Sequence, residues 1–127
     1  MDIEEYKQQR ENYEQFAEVV RNILASAISN ASQNGSHKYR LQHIQSRAKE
    51  LGSLEKKIEK SEYGEEDKQN IEGFVGDLAG CRVVFYHNDD VSEFLKSGII
   101  RDNFEVDWDK SKFHYIKDEI KDANDYY

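Results

Sequence analysis

From residue 2 to about residue 30, apolar side chains return every three or four positions: Ile3, Tyr6, Tyr13, Phe16, Val20, Ile23, Leu24, Ala27 and Ile28, with charges between them. That spacing predicts one long helix with a buried stripe. It would be about 40 Å long, enough to brace a domain or to lean on a partner. Asn30 to Ser36 is small and polar with a glycine, so a loop or linker is expected there. The period then changes to two. Tyr39 and Leu41 alternate with Arg40 and Gln42, and Ile44, Ser46 and Ala48 with Gln45, Arg47 and Lys49, which predicts strand. On a strand Arg47 and Lys49 project from the same face about 7 Å apart.

Gly52-Ser53 opens a short helix with Ser53 as N-cap, Leu54 and Ile58 inside, and Ser53, Lys57 and Lys60 near one line on the outside. A further helix is expected from Glu65-Glu66-Asp67, acidic in its first turn, carrying Ile71, Phe74, Val75 and Leu78 inward and delivering Asp77 to the next strand. Val83 to Tyr86 is an unbroken β-branched and aromatic run, the pattern of a central strand buried on both faces. Gly80 precedes it and lets the backbone bend or approach a neighbour. Asn88 to Asp90 can cap a helix over Val91 to Ser97 that Gly98 stops. Phe104, Val106 and Trp108 alternate with acidic residues as a half-buried strand does, Lys110 to Lys112 reads as a turn, and Phe113 to Ile116 reads as a strand or the approach to a loop. These elements make an α+β chain, a sheet flanked by helices and preceded by a long N-terminal helix. One domain over residues 1–127 is expected, with the helix at 1–30 and the sheet-and-helix part at 38–127.

The net charge of −8 argues against non-specific binding to a nucleic-acid backbone, yet leaves room for a local basic pocket. The acidic start, Met1-Asp2-Ile3-Glu4-Glu5, has no secretory pattern, and no apolar run is long enough to span a membrane. The single cysteine, Cys81, makes no intrachain disulfide and suits a reducing cytoplasm. It reads as a small buried hydrophobe. The four histidines are scattered, and His43 and His114 read as packing or surface residues, so a zinc site is not expected. Neither a GxxxxGK[ST] nor a GxGxxG loop is present. Asp77 and Arg82 flank Gly80 at the mouth of an apolar strand, where two charges are costly unless paired. They pair either with each other or with a metal and a phosphate.

The order Arg47-Ala48-Lys49, Ser53, Lys57, then Asp77-Leu78-Ala79-Gly80-Cys81-Arg82-Val83 fits the two-part pattern R-x-K-x-x-x-S-x-x-x-K and D-[LI]-A-G-x-R-[VI]. It resembles the synthetase domain of the RelA/SpoT family, which makes guanosine tetra- and pentaphosphate in the stringent response. The resemblance covers about residues 38–127. It implies a mixed sheet of the nucleotidyltransferase type and transfer of pyrophosphate from ATP to the 3′-hydroxyl of GDP or GTP. By position, Arg47, Lys49, Ser53 and Lys57 would surround the ATP phosphates, with Lys60 where the family often has a further basic residue. Asp77 would hold Mg²⁺, and Arg82 would support the phosphates or orient that aspartate. The residue types suit the chemistry: a triphosphate needs fixed cations, guanidinium binds it bidentately, and transfer to a hydroxyl is mostly positioning.

The family continues into a G-Y-x-S-x-H segment whose tyrosine stacks on guanine, and then to a glutamate. Tyr126 best matches that tyrosine, with Asp125 in place of the glycine. The family's later positions have no counterpart here, so the resemblance implies the first half to two-thirds of a synthetase domain, one that binds ATP weakly without turnover. Relatives that move pyrophosphate onto tRNA or other nucleotides are a second reading. A third is a non-catalytic module that forms homo-oligomers or other complexes through its N-terminal helix.

Overall fold

The computed structural model describes residues 1–35, 37–60 and 64–111. In chain order these form α1 (Ile3–Asn34), β1 (Leu41–Ala48), α2 (Leu51–Lys60), α3 (Glu65–Lys68), α4 (Ile71–Phe74), β2 (Ala79–Phe85), α5 (Asn88–Lys96) and α6 (Ile99–Asn103). The fold is α+β, and among the described residues the sheet is the pair β1–β2. The pair is antiparallel: the Lys49 amide donates to the Leu78 carbonyl at 2.8 Å, and the Tyr86 amide to the Arg40 carbonyl at 3.0 Å.

Asp2 caps α1, its Oδ1 accepting from the Glu5 amide at 2.9 Å, and Glu4 and Glu5 suit the positive end of the helix dipole. The helix runs on through the residues expected to form a loop. Ala31, Ser32 and Gln33 each cost a helix only a few tenths of a kcal/mol at most, so composition alone does not stop it. Gly35 does. A Cβ there would lie 2.5 Å from the Ala31 carbonyl oxygen, a close approach only glycine allows. The buried stripe also differs from expectation. Tyr6, Ala17, Leu24 and Ile28 are buried, whereas Phe16 is 61% exposed because it sits one residue, about 100°, off that line.

The chain divides into two compact units, Met1–Arg21 with Gln45–Arg82, and Asn22–Ile44 with the described part of Val83–Tyr127. In the first, Tyr6, Leu54, Ile71, Val75 and Leu78 form the core, with Ile3, Tyr13, Leu51 and Ile58 packed against it. The helix α2 starts before Ser53, so Ser53 lies inside the first turn and the Glu50 carbonyl accepts from the Leu54 amide instead. The single helix expected from Glu65 is two short ones. Asn70 breaks it, and the Ile71 amide donates to the Met1 carbonyl rather than continuing the helical ladder. Phe74, expected inside, is exposed.

In the second unit Tyr39, Phe85 and Phe94 pack ring against ring, with centroids 5.5 Å apart for Tyr39–Phe85 and for Phe85–Phe94. Apart from the exposed Arg82, residues of β2 are half-buried rather than fully buried, because among the described residues the strand has one neighbour, and Tyr86 lies beyond its end. Asn88 to Asp90 form the first turn of α5, with His87 before it, and do not cap from outside. Gly98 separates α5 from α6 with φ of 80°, the left-handed conformation expected of a helix stop. Residues 104–108 keep their alternation but are not a strand. Among the described residues they form no β-ladder, and a turn comes next in which Asp107 accepts from the Lys110 amide and from the Ser111 hydroxyl. The segment Phe113–Ile116, His114 and Tyr126 lie outside the described residues.

Candidate anion-binding site

The first unit brings both sequence motifs together, in two places. Lys49 follows the last residue of β1, so it leaves the strand register it was expected to share with Arg47. Its side chain turns inward and is 10% exposed, and Nζ donates to Asp77 Oδ2 at 2.9 Å across a sequence separation of 28 residues. Lys57, one turn before the end of α2, approaches Asp77 Oδ1 at 3.6 Å. Burial alone would push the Asp77 carboxyl up. The Lys49 hydrogen bond and the charges of Lys49 and Lys57 outweigh it, so Asp77 titrates below its ordinary value. Its partner is therefore neither Arg82 nor a solvated surface, but two ammonium groups from separate elements.

Arg47 and Arg82 meet elsewhere, on a pocket of about 220 Å³ lined also by Gln45, Gly80 and Cys81. Gln45 and Arg47 are two apart on β1, and Gly80 and Arg82 two apart on β2, so each pair shares a sheet face. Gly80 is not required by backbone strain. A Cβ there would meet nothing nearer than the Arg47 carbonyl oxygen at 4.0 Å. It contributes backbone alone to a lining that holds both arginines. Among the described residues neither arginine has a carboxylate partner. Cys81 is half-buried, and burial pushes its thiol up, away from the reactive thiolate. Ser53 and Lys60 are exposed on α2, and neither is brought to Asp77 by a hydrogen bond or ion pair among the described residues.

Tyr6 and Arg10 of α1 stand behind this site, and spacing along the sequence did not single out their role. The Tyr6 hydroxyl donates to the Lys49 carbonyl at 2.7 Å and lies 3.3 Å from the Leu78 carbonyl. Arg10 donates to the carbonyls of Lys49 and Ala48 and pairs with Glu50 at 3.2 Å. The available signal was a cation placed on the apolar stripe, one turn after Tyr6 and just before Tyr13.

The second unit holds another charged cluster, centred on a residue expected only to help cap a helix. Asp90 has no exposed surface, and it accepts from His37 Nε2 at 2.6 Å, Arg40 Nε at 3.0 Å and the Arg40 amide at 3.3 Å. Burial acts to raise its pKa, and the hydrogen bonds from Arg40 and then His37 more than offset that, leaving it below its ordinary value.

Among the described residues no three His, Cys, Asp or Glu side chains cluster as metal ligands. Nor is any described helix long and apolar enough to cross a membrane. No family model, curated protein or solved structure matches the chain.

Proposed function

We propose that the first unit is the phosphate-binding part of a RelA/SpoT-type synthetase domain on a nucleotidyltransferase-like fold. In this reading it binds magnesium-loaded ATP for transfer of pyrophosphate to the 3′-hydroxyl of GDP or GTP. The observation that carries the reading is that residues of two separate motifs meet in space: Lys49 and Lys57 on Asp77, and Arg47 with Arg82 around Gly80. Two arginines without carboxylate partners lining one pocket suit a phosphate, which they can bind bidentately.

The donor set also bears on magnesium. Asp77 offers one half-exposed carboxylate whose oxygens already face ammonium groups, and a free divalent ion gains little there. Magnesium ordinarily takes one or two carboxylates and fills the rest of its shell with phosphate oxygens and water, so this site suits the ion when it arrives on a triphosphate. Bound there, the ion would neutralise phosphate charge. Lys49 and Lys57 would then exchange part of their contact with Asp77 for the phosphates, and Arg47 and Arg82 would hold the remaining oxygens. Transfer would form a bond from the 3′-oxygen to the β-phosphorus and release AMP. Tyr126, the residue matched to guanine stacking, lies outside the described residues.

The test is equilibrium titration with magnesium-ATP, ADP and AMP. Affinity should fall as phosphates are removed, and Lys49→Met and Arg82→Met should each weaken ATP binding about tenfold or more, the worth of one charged hydrogen bond. Equal affinity for ATP and AMP, or variants that bind like the parent, would contradict the reading.

A further inference from the structure

We propose that Tyr6 and Arg10, one turn apart on α1, are positioning residues that fix Lys49 and Asp77 relative to each other. The clamp is geometric. Both Lys49 and Leu78 stand just past the β1–β2 ladder, where a two-stranded sheet would otherwise fray. The Lys49 amide is held by the Leu78 carbonyl at 2.8 Å. Its carbonyl has two lone pairs, and both are taken: by the Tyr6 hydroxyl at 2.7 Å and by Arg10 Nε at 3.2 Å. Arg10 Nη2 reaches the Ala48 carbonyl at 3.3 Å and the Glu50 carboxylate at 3.2 Å, so one guanidinium grips the chain on both sides of Lys49.

The Leu78 carbonyl, which follows Asp77 directly, lies 3.3 Å from the same Tyr6 hydroxyl. One fully buried phenol therefore sits between the peptide of the lysine and the peptide next to the aspartate. With both backbone groups of Lys49 committed, its Nζ has a fixed origin from which to meet Asp77 at 2.9 Å. Preorganised charges act more strongly on a ligand than charges that must first be ordered. That these charges serve a nucleotide rests on the function proposed above; that Tyr6 and Arg10 set their geometry does not.

The experiment pairs Tyr6→Phe, which keeps the ring packed against Tyr13 and removes only the hydroxyl, with Arg10→Gln. In each, the Asp77 carboxyl is titrated by carbon NMR in the full chain, with Asp90 in the second unit as internal control, and magnesium-ATP affinity is measured. In Tyr6→Phe the Asp77 titration should move up toward an ordinary carboxylate while Asp90 titrates as before. Affinity should drop about tenfold. Arg10→Gln should move both in the same direction by less. An unchanged Asp77 titration in folded Tyr6→Phe overturns the proposal. Should that variant fail to fold, an unchanged Asp77 titration in Arg10→Gln, whose side chain is partly exposed, overturns it instead. If the parent chain binds no magnesium-ATP, the nucleotide reading falls and the Asp77 titration still decides the positioning role.

Discussion

Asp90 keeps its charge without any contact with solvent because Arg40 and His37 supply the hydrogen bonds that water would have given. Its folded-state pKa is lowered, so its contribution is present above the ordinary carboxylate pKa and is lost as pH falls through the folded value. Urea midpoints should accordingly fall as the pH drops below about 4, and fall less steeply in Asp90→Asn. At neutral pH that variant should lose about 2 kcal/mol, measured by urea unfolding, since it weakens charged hydrogen bonds at a buried position. Asp77 has the same sign of shift but lies half exposed, and its share of the acid loss should be smaller. These two carboxylates also show what a sequence conveys at this scale. Asp77 stood out because a charge beside an apolar strand needs a partner, yet the partners proved to be Lys49 and Lys57 rather than Arg82. Asp90 hid inside Asn88-Asp89-Asp90, a run whose local turn chemistry gives no hint that one member is buried. The choice of partner depends on where β1 ends, and strand ends are set by tertiary contacts such as those of Tyr6 and Arg10.

Elements were legible where a single period ran long. The existence of α1, the β1 alternation and the stop at Gly98 come directly from spacing and glycine chemistry, whereas which face of α1 is buried does not. Continuity was hidden from spacing: α1 passes through Asn30 to Asn34, where no residue forbids helix, and the chain after Glu65 breaks at Asn70, where a tertiary bond to Met1 replaces a helical one. The strand expected at 104–108 had the alternation but lacks a ladder partner among the described residues. Two glycines give predictions of opposite sign. Gly98→Ala should destabilise by about 1 kcal/mol, lowering the melting temperature by about 4 °C, because φ of 80° is strained for any residue with a Cβ. Gly52→Ala should stabilise by about 0.5–1 kcal/mol in the same thermal scan. It lies within α2, where a Cβ meets nothing within 4 Å and alanine restricts the unfolded chain.

At the scale of the whole molecule, α1, β1 and β2 each contribute one part to both compact units, and the site residues fall in the first. Arg47, Lys57 and Arg82 come from three elements, and Lys49 and Asp77 from two separate loops. Their convergence was foreshadowed only by motif order, since no periodicity places residues so far apart beside one another. Cations gathered in one compact unit of an acidic chain call for a dedicated anionic ligand. The most direct measurement is a heteronuclear NMR titration of the chain with magnesium-ATP. The largest shifts should fall on Lys49, Lys57, Asp77, Gly80, Arg47 and Arg82, while Asp90 and its neighbours stay still. Shifts scattered over both units, or none at the Asp77 cluster, would contradict the account.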